Sequence, residues 1–345
     1  MIDLSYKLEI THSEKDNLKM TLVTIYSYFC TRTESIFMDE GIVIKSTGSW
    51  YSVHVSSGQT VQCRLRGQYR LKGIRTTNPV AVGDKVQIRY EEGCETAVIL
   101  LIRERQNFII RKATNLSKAS HIIAANLDQA ILVATIDHPR TSTGFIDRFL
   151  VTSEAYHIPA VIVFNKTDLY DKEQSDKLDQ LYTIYTSIGY KVLKVSALNG
   201  NGLNEFGELL KGKTTLLTGH SGVGKSALIN KIDVNLKLRT GEISSVHNKG
   251  KHTTTFAEMY PINVGGWIVD TPGIKEFGLH DFESETLAQR FPEMRSIMHL
   301  CRFANCTHVH EPECAIKQAI QKGKIAVFRY QNYLNMMNND FTDEN

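Results

Sequence analysis

The sequence predicts a chain of three structural parts: a small all-β barrel, an α/β domain built on a parallel sheet, and a mainly helical carboxyl-terminal domain. Short segments of alternating polarity, separated by Gly, Asn, Pro and Asp turns, fill residues 41–105. From about residue 126, apolar runs alternate with amphipathic stretches, the pattern of a parallel sheet with helices on both faces. After residue 273 the strand pattern fades and a cysteine and histidine cluster follows.

These patterns set the expected domain boundaries. The barrel spans residues 38–108, the α/β domain residues 109–283, and the carboxyl-terminal domain residues 284–345. Residues 1–37 are an amino-terminal extension with two open interpretations, a poorly ordered segment or residues upstream of the main start codon. The five short strands favour an oligonucleotide/oligosaccharide-binding (OB) barrel, a form whose face commonly carries RNA.

Composition bounds the class of protein. The 345 residues carry a formal net charge of +3, with 42% apolar and 22% charged residues, so overall charge does not indicate a nucleic-acid partner. No apolar run approaches the ~20 residues of a membrane helix, and no secretory signal pattern is present near the start. We therefore expect a protein in a reducing compartment, with no membrane partner.

The stretch "TTLLTGHSGVGKSALIN", residues 214–230, has the complete phosphate-loop spacing G-x-x-x-x-G-K-S between a strand and a helix. Its glycines allow backbone N–H groups to surround phosphates, Lys225 reaches the β and γ oxygens, and the Ser226 hydroxyl binds Mg²⁺. A chance glycine-rich turn is the alternative. The predicted contacts are Gly219, His220, Ser221, Gly222, Val223, Gly224, Lys225, Ser226 and Ala227.

A guanine-reading loop is predicted at Asn165-Lys166-Thr167-Asp168, directly after the apolar run "AVIVF". Guanine offers N1–H and a 2-amino group, and the Asp168 carboxylate can accept from both; Lys166 would lie along the base, and Asn165 would brace the loop. Further on, Ser196 and Ala197 can place a backbone N–H against guanine O6. Taken alone, the first motif is also compatible with an Asx turn that caps a helix.

Two further segments complete the set. Asp270-Thr271-Pro272-Gly273 follows the run "GGWIV", which puts a carboxylate where it can hold Mg²⁺ through water and the Gly273 amide where it can meet a γ-phosphate. A plain β-turn is the alternative. Residues 241–255 have the polar composition of a switch segment. One of its threonines should reach the metal; Thr254 is our assignment, with Thr253 and Thr255 still open.

The order of these elements is unusual, because the base-reading loop precedes the phosphate loop. Joining the old termini of a domain and cutting it elsewhere leaves sheet and pocket intact. The sequence therefore predicts an α/β circularly permuted P-loop GTPase domain. In this order, Gly273 leads straight into the carboxyl-terminal domain, so loss of a γ-phosphate could act on that domain directly.

A barrel, a permuted GTPase and a cysteine/histidine tail, in this order, resemble the RsgA family of bacterial GTPases that assist biogenesis of the small ribosomal subunit. The resemblance covers about residues 38–320 and includes "TGHSGVGKSALIN", "KGKHTTT" and "DTPGIKEFGL". It implies a cytoplasmic, monomeric factor that binds the 30S subunit and its 16S rRNA late in maturation and hydrolyses GTP to GDP faster when bound.

The catalytic assignment starts from Ile274, which stands where Ras-like enzymes have a water-orienting glutamine. Isoleucine cannot polarise water, so intrinsic hydrolysis should be slow. His252 is the internal candidate and matches a histidine implicated in the family; Lys225 is the second predicted catalytic residue. An exposed loop position for His252, with the ribosome completing the site, is the alternative.

Cys301-x4-Cys306-x-His308-x5-Cys314 offers three thiolates and one imidazole, a full tetrahedral set for one structural zinc. Buried thiols beside a surface histidine are the alternative, and His310 is a rival ligand. The resemblance favours His308.

RNA contact is expected on the barrel, where basic side chains could neutralise phosphates and aromatic rings could stack on unpaired bases. The residues are Arg64, Arg66, Arg70, Lys72 and Arg75, with Trp50, Tyr51 and Tyr69. A solvated barrel face is the alternative. The sequence leaves two alternatives to a ribosome-activated GTPase. One is an RNA-binding assembly protein that holds GTP as a structural ligand, and the other is a P-loop ATPase or kinase.

Overall fold

Five strands form a closed barrel at the amino-terminal end of the chain. The computed structural model describes residues 38–65, 79–91, 93–111, 121–236, 257–270 and 284–338. The barrel strands are β1 Met38–Ser46, β2 Tyr51–Val55, β3 Thr60–Leu65, β4 Lys85–Tyr90 and β5 Thr96–Ile102. Strand β1 pairs with both β2 and β4, β5 pairs with both β3 and β4, and β2 pairs with β3, which closes the ring. The predicted barrel is confirmed.

A short antiparallel hairpin follows the barrel, formed by β6 Phe108–Arg111 and β7 His121–Ala125. The sequence analysis did not predict it. The expected boundary after residue 108 falls inside β6, and the boundaries at 108 and 283 stay predictions. The extension of residues 1–37 lies outside the described residues.

The α/β domain has a six-stranded core sheet in the order β10-β9-β8-β11-β13-β12. Its strands are β8 Gln129–Ala134, β9 Ala160–Phe164, β10 Lys191–Lys194, β11 Thr214–Thr218, β12 Glu258–Ile262 and β13 Gly266–Asp270. All neighbouring pairs are parallel except β12 with β13. The predicted strands therefore form one parallel sheet, to which β12 adds an unpredicted antiparallel strand.

Helices cover both faces of this sheet. They are α1 Thr143–Ala155, α2 Lys172–Ile188, α3 Leu203–Leu210 and α4 Lys225–Ile232. Alternate residues of β8 enter different cores, since Leu132 packs in the cluster that contains α1 and α2 residues, whereas Ile131 and Val133 pack in the cluster with α3 and α4 residues. A strand buried on both faces explains why "QAILVA" is continuously apolar.

The carboxyl-terminal region is helical, as predicted. It contains α5 Ser284–Leu287, α6 Pro292–Arg295, α7 Ala315–Gln321 and α8 Val327–Met337, with 3₁₀ turns at Ala288–Arg290 and Met298–Leu300. Its core includes Phe291, Ile316 and Tyr333, and Val151 of α1 belongs to the same buried cluster. Within the described ranges, no helix combines the length and apolar character that a membrane crossing requires.

One pairing joins the barrel to the α/β sheet. Strand β1 pairs antiparallel with β12, with Lys45 opposite Glu258, so that eleven strands form one continuous sheet. The two residues are 213 positions apart in the chain, and no local pattern predicts their pairing.

Candidate nucleotide-binding site and metal cluster

The phosphate-loop sequence forms the turn between β11 and α4. Three glycines in it have positive φ: Gly219 at 138°, Gly222 at 87° and Gly224 at 99°. A Cβ at Gly219 would lie 2.2 Å from the Val133 carbonyl oxygen, and one at Gly224 would lie 2.3 Å from Asn165 Nδ2. Glycine is therefore required for both backbone conformation and space, and the loop lies at the carboxyl edge of the sheet.

Lys225 and Ser226 begin α4, and each is only 5% exposed. Lys225 Nζ donates to the Gly219 carbonyl at 2.6 Å and to the His220 carbonyl at 2.8 Å. Burial lowers the pKa of Lys225 to about 8, while the Asp270 carboxylate opposes that shift. The ammonium group is thus held against the loop, within reach of ligands that the loop would surround.

Asp270 ends β13, the strand next to β11. Burial raises the pKa of Asp270 to about 6; Lys225 opposes this effect and the negative charge of Glu258 adds to it. A carboxylate and a serine hydroxyl at one sheet edge are hard oxygen donors of the kind that Mg²⁺ prefers. The chemistry of Asp270 and Ser226 therefore fits the predicted Mg²⁺.

Asn165 connects three loops. Its side chain is 1% exposed, its Nδ2 donates to the Val223 carbonyl at 2.8 Å, and its Oδ1 accepts from the Ala197 N–H at 3.2 Å. Its own carbonyl accepts from the Tyr170 hydroxyl at 2.6 Å. The predicted phosphate loop and the two predicted base-reading loops are therefore one hydrogen-bonded unit.

The Asp168 carboxylate is oriented by Ser196, whose hydroxyl donates to Oδ1. Ser196 is fully buried and accepts in turn from the Asn199 N–H at 3.0 Å. Thr167 Oγ1 donates to the Val195 carbonyl at 3.0 Å. Lys166 has a left-handed backbone (φ 62°), and its Nζ donates to the His138 carbonyl. The four-residue motif is thus held by the loop after β10 and by the loop after β8.

The first turn of α1 also contacts the phosphate loop, a contact that the sequence analysis missed. The Phe145 ring centroid lies 4.1 Å from that of His220, with the ring planes 33° apart. Burial lowers the pKa of His220, and the positive charges of Lys225 and Arg148 lower it further. The packing on Phe145 and the neighbouring charges therefore favour the neutral form of the His220 imidazole. The apolar Phe145 after the helix-capping Ser142 was the available signal, but its partner could not be read from it.

The four predicted metal ligands lie together. The ligand atoms of Cys301, Cys306, His308 and Cys314 are all within 4.8 Å of one another. His308 Nδ1 is 3.6 Å from Cys301 Sγ and 3.5 Å from Cys314 Sγ, and those two sulfurs are 3.9 Å apart. A tetrahedral zinc with bonds of about 2.0–2.3 Å has ligand-to-ligand edges of about 3.5–3.8 Å. The donor set therefore fits zinc, with His308 rather than His310 in the cluster.

Hydrogen bonds hold the loop that carries His308. Glu311 accepts from the N–H groups of Thr307 at 2.7 Å and Val309 at 3.1 Å, and its bond from the Thr307 hydroxyl is the main cause that lowers its pKa to about 2. The hydroxyl of Tyr330 donates to the His308 carbonyl at 2.7 Å. This framework fixes the backbone of His308, whose φ is positive at 64°, and so orients its imidazole.

Comparison with known proteins decides the family. A profile described as the RsgA GTPase matches residues 102–280, and one described as the RsgA N-terminal domain matches residues 40–99. A protein of Bacteroides fragilis named small ribosomal subunit biogenesis GTPase RsgA is 54% identical over 299 residues, which cover 86% of this chain and 96% of the relative. The chain belongs to the RsgA GTPase family. A Phocaeicola vulgatus protein of the same name is 55% identical over the same shares of both chains.

Solved structures agree with membership of the RsgA family. The crystal structure of YjeQ from Thermotoga maritima is 36% identical, with a TM-score of 0.72 over 89% of this chain and 99% of that one. YloQ, described as a circularly permuted GTPase, is 30% identical, with a TM-score of 0.69 over 91% and 99% of the two chains. The predicted permutation is confirmed, and the protein is a GTP hydrolase, which removes the ATPase and kinase alternatives.

Several predicted residues of this RsgA-family chain lie outside the described residues. Among the nucleotide and catalytic assignments they are His252, Thr254 and Gly273. The alternatives Thr253 and Thr255 also lie outside, as does Ile274, which stands in place of the Ras-like glutamine. In the barrel they are Arg66, Tyr69, Arg70, Lys72 and Arg75. All of these assignments stay predictions.

The described barrel residues give a mixed result. The Arg64 guanidinium lies over the Trp50 ring, 4.0 Å from its centroid; Arg64 is exposed and Trp50 is half-buried. Tyr51 is 2% exposed and packs in the barrel core, which makes the expected stacking by Tyr51 wrong. The signal was present, since Tyr51 shares the inward parity of Val53 and Val55 on β2.

Proposed function

We propose that this protein binds the 30S ribosomal subunit and assists its late maturation, hydrolysing GTP to GDP faster when the subunit is bound. The names of its relatives support the assignment to the small subunit. The observation that carries the guanine-nucleotide assignment is the Asn165 bridge to Val223 and Ala197, which joins the phosphate loop to both base-reading loops. We further infer a monomeric, cytoplasmic protein whose barrel contacts 16S rRNA.

The residue roles follow from chemistry. Asp168 accepts from guanine N1–H and the 2-amino group, while Asn165, Lys166 and Thr167 hold the loop around the base. The phosphate-loop amides and Lys225 Nζ donate to the phosphates. The loop residues assigned here are Gly219, His220, Ser221, Gly222, Val223, Gly224, Ser226 and Ala227, with Ser196 and Ala197 at the base and the Gly273 amide at the γ-phosphate.

The cation would be held by the Ser226 hydroxyl, by Asp270 through water and by Thr254. Bound there, Mg²⁺ supplies positive charge against the β and γ phosphates. His252 orients the attacking water, because Ile274 has no polar group to do so. Zinc held by Cys301, Cys306, His308 and Cys314 has a structural role, since four protein ligands leave no open position.

Multiple-turnover phosphate release from GTP, with and without purified 30S subunits, tests the proposal. We expect slow release by the protein alone and a large acceleration by 30S subunits, with ATP inactive in both cases. No acceleration at saturating subunits would favour the alternative, an RNA-binding assembly protein that holds GTP as a structural ligand with negligible turnover.

A further inference from the structure

Three charged side chains form one row across adjacent strands. Lys45 on β1 is opposite Glu258 on β12, and Glu258 is opposite Asp270 on β13. Directly opposed residues of antiparallel strands lie on the same face, with Cβ atoms about 4.5–5.5 Å apart. The row therefore runs from the barrel to the residue proposed to hold Mg²⁺.

The contacts within the row are specific. Lys45 Nζ lies 3.2 Å from both Glu258 carboxylate oxygens, with 43% and 34% of the two side chains exposed. On its other side, the charge of Glu258 reaches Asp270. Glu258 is thus shared between a cation of the barrel and an anion of the nucleotide site.

We propose that Glu258 is a positioning residue for the Mg²⁺ site: its carboxylate adds negative potential at Asp270, and the barrel residue Lys45 limits how much of that potential the cation experiences. The inference rests on the proposed role of Asp270. It makes the barrel part of the nucleotide site, because any anion that draws Lys45 away leaves Glu258 unneutralised beside Asp270.

The direction and size of the effect follow from Coulomb's law. Glu258→Gln removes a negative charge near a divalent cation, whereas Lys45→Met removes a neutralising positive charge. With an effective dielectric constant of about 20–40 and partial solvent screening, we expect a ~3–10-fold rise in the half-saturating Mg²⁺ concentration for the first variant and a ~2–5-fold fall for the second. Both changes should shrink in high salt.

The experiment measures dissociation of a fluorescent GDP analogue as a function of Mg²⁺ at low and high KCl. Lys45→Arg should keep the wild-type Mg²⁺ dependence, since arginine retains the positive charge. Arg103→Met is the matched control, because Arg103 pairs with Glu40, which lies on β1 as Lys45 does, and Arg103 is 48% exposed. This variant should leave the Mg²⁺ dependence unchanged.

Opposite shifts for Glu258→Gln and Lys45→Met support the proposal. Shifts in the same direction, shifts independent of salt, or shifts below about 1.5-fold overturn it, because loosening of the β1–β12 contact would act alike in both variants. Asp270→Asn distinguishes a failure of this inference from a failure of the proposed Mg²⁺ site. If Asp270→Asn leaves the Mg²⁺ dependence unaltered, the proposed placement of the cation is itself wrong.

Discussion

Arg329 and Asp147 form an ion pair in which neither side chain is exposed, with Nη1 2.6 Å from Oδ1. The pair joins α8 of the carboxyl-terminal region to α1 of the α/β domain. Asp147 also accepts from Asn332 Nδ2 at 2.6 Å and from the Tyr185 hydroxyl at 2.7 Å, while Arg329 Nε and Nη2 donate to Glu293 at 2.7 and 3.0 Å. Burial raises the pKa of Asp147, and Arg329 is the main group that opposes this shift.

Arg329→Met should therefore be strongly destabilising. It leaves the buried Asp147 carboxylate without its cation, a loss of about 3–5 kcal/mol in the free energy of unfolding. Urea denaturation followed by circular dichroism measures it. Arg295→Met is the control, since the Arg295–Glu154 pair is partly exposed and should cost less than about 1 kcal/mol. Equal losses in the two variants would contradict the importance of the buried pair.

Asp168→Asn should exchange the preferred base. The amide cannot accept from guanine N1–H as the carboxylate does, but its NH₂ can donate to O2 of xanthine. We expect a loss of about 2–4 kcal/mol in GTP affinity, roughly 30- to 1,000-fold, with a gain for xanthosine triphosphate. Calorimetric titration with both nucleotides measures the exchange, and unchanged GTP affinity would remove Asp168 from the base site.

Cys306→Ser should lower the zinc content toward zero. Because binding of a structural metal is largely folding free energy, the region of α7 and α8 should also exchange amide hydrogens faster, while GDP affinity stays within about twofold of wild type. Elemental analysis and hydrogen exchange provide the two measurements. Cys94→Ser is the control, because Cys94 is an exposed cysteine of the barrel, distant in sequence from the cluster. One zinc per chain in the Cys306 variant would refute the ligand set.

His220 should titrate below the ordinary histidine value of about 6.5. Burial and the nearby positive charges lower the pKa of His220 in the folded protein. Below the unfolded pKa, the folded state therefore binds fewer protons at this residue than the unfolded state does. Its contribution to stability is complete above the unfolded pKa and is lost as pH falls through the folded pKa. Imidazole NMR gives the midpoint; a peptide of the loop is the reference, and an equal midpoint in both would contradict the burial argument.

His252→Ala should separate binding from catalysis. Since His252 is expected to orient water rather than contact the nucleotide, GTP affinity should change little while the 30S-stimulated rate falls ~10²- to 10⁴-fold. Single-turnover phosphate release on 30S subunits measures this rate. A rate within about threefold of wild type, below ~1 kcal/mol of barrier, would transfer the role to a ribosomal group.

The local sites were predictable because contiguous residues form them. The glycines of the phosphate loop carry their own conformational requirement, so Gly219 and Gly224 indicate the turn before any neighbour is known. The ligands Cys301 to Cys314 lie within one short stretch, and their donor types predict the cluster. The parallel sheet of the α/β domain was predictable in the same way, from strand segments that are apolar throughout.

The long-range contacts were not predictable from local pattern. Arg329 occupies a helix whose sequence, "VFRYQNYLNMM", reads as amphipathic, and its partner Asp147 is 182 residues away. Strand β12, "EMYPI", contains Pro261, which ordinarily argues against a strand. The pairing of β12 with β1 is at Glu258, not at Pro261, so the proline lies where its missing N–H is tolerated. Both the Arg329–Asp147 pair and strand β12 depend on tertiary packing rather than on local sequence pattern.

Val151 carries a consequence for how this chain can be divided. Its helix packs against the parallel sheet, yet Val151 itself belongs to the carboxyl-terminal core. A gene cut after residue 283 would leave that valine and the Asp147 carboxylate on one fragment and their partners on the other. The segment that carries the Cys301–Cys314 cluster therefore depends on α1 for part of its core, and a transplant of that segment to another scaffold would have to include the helix.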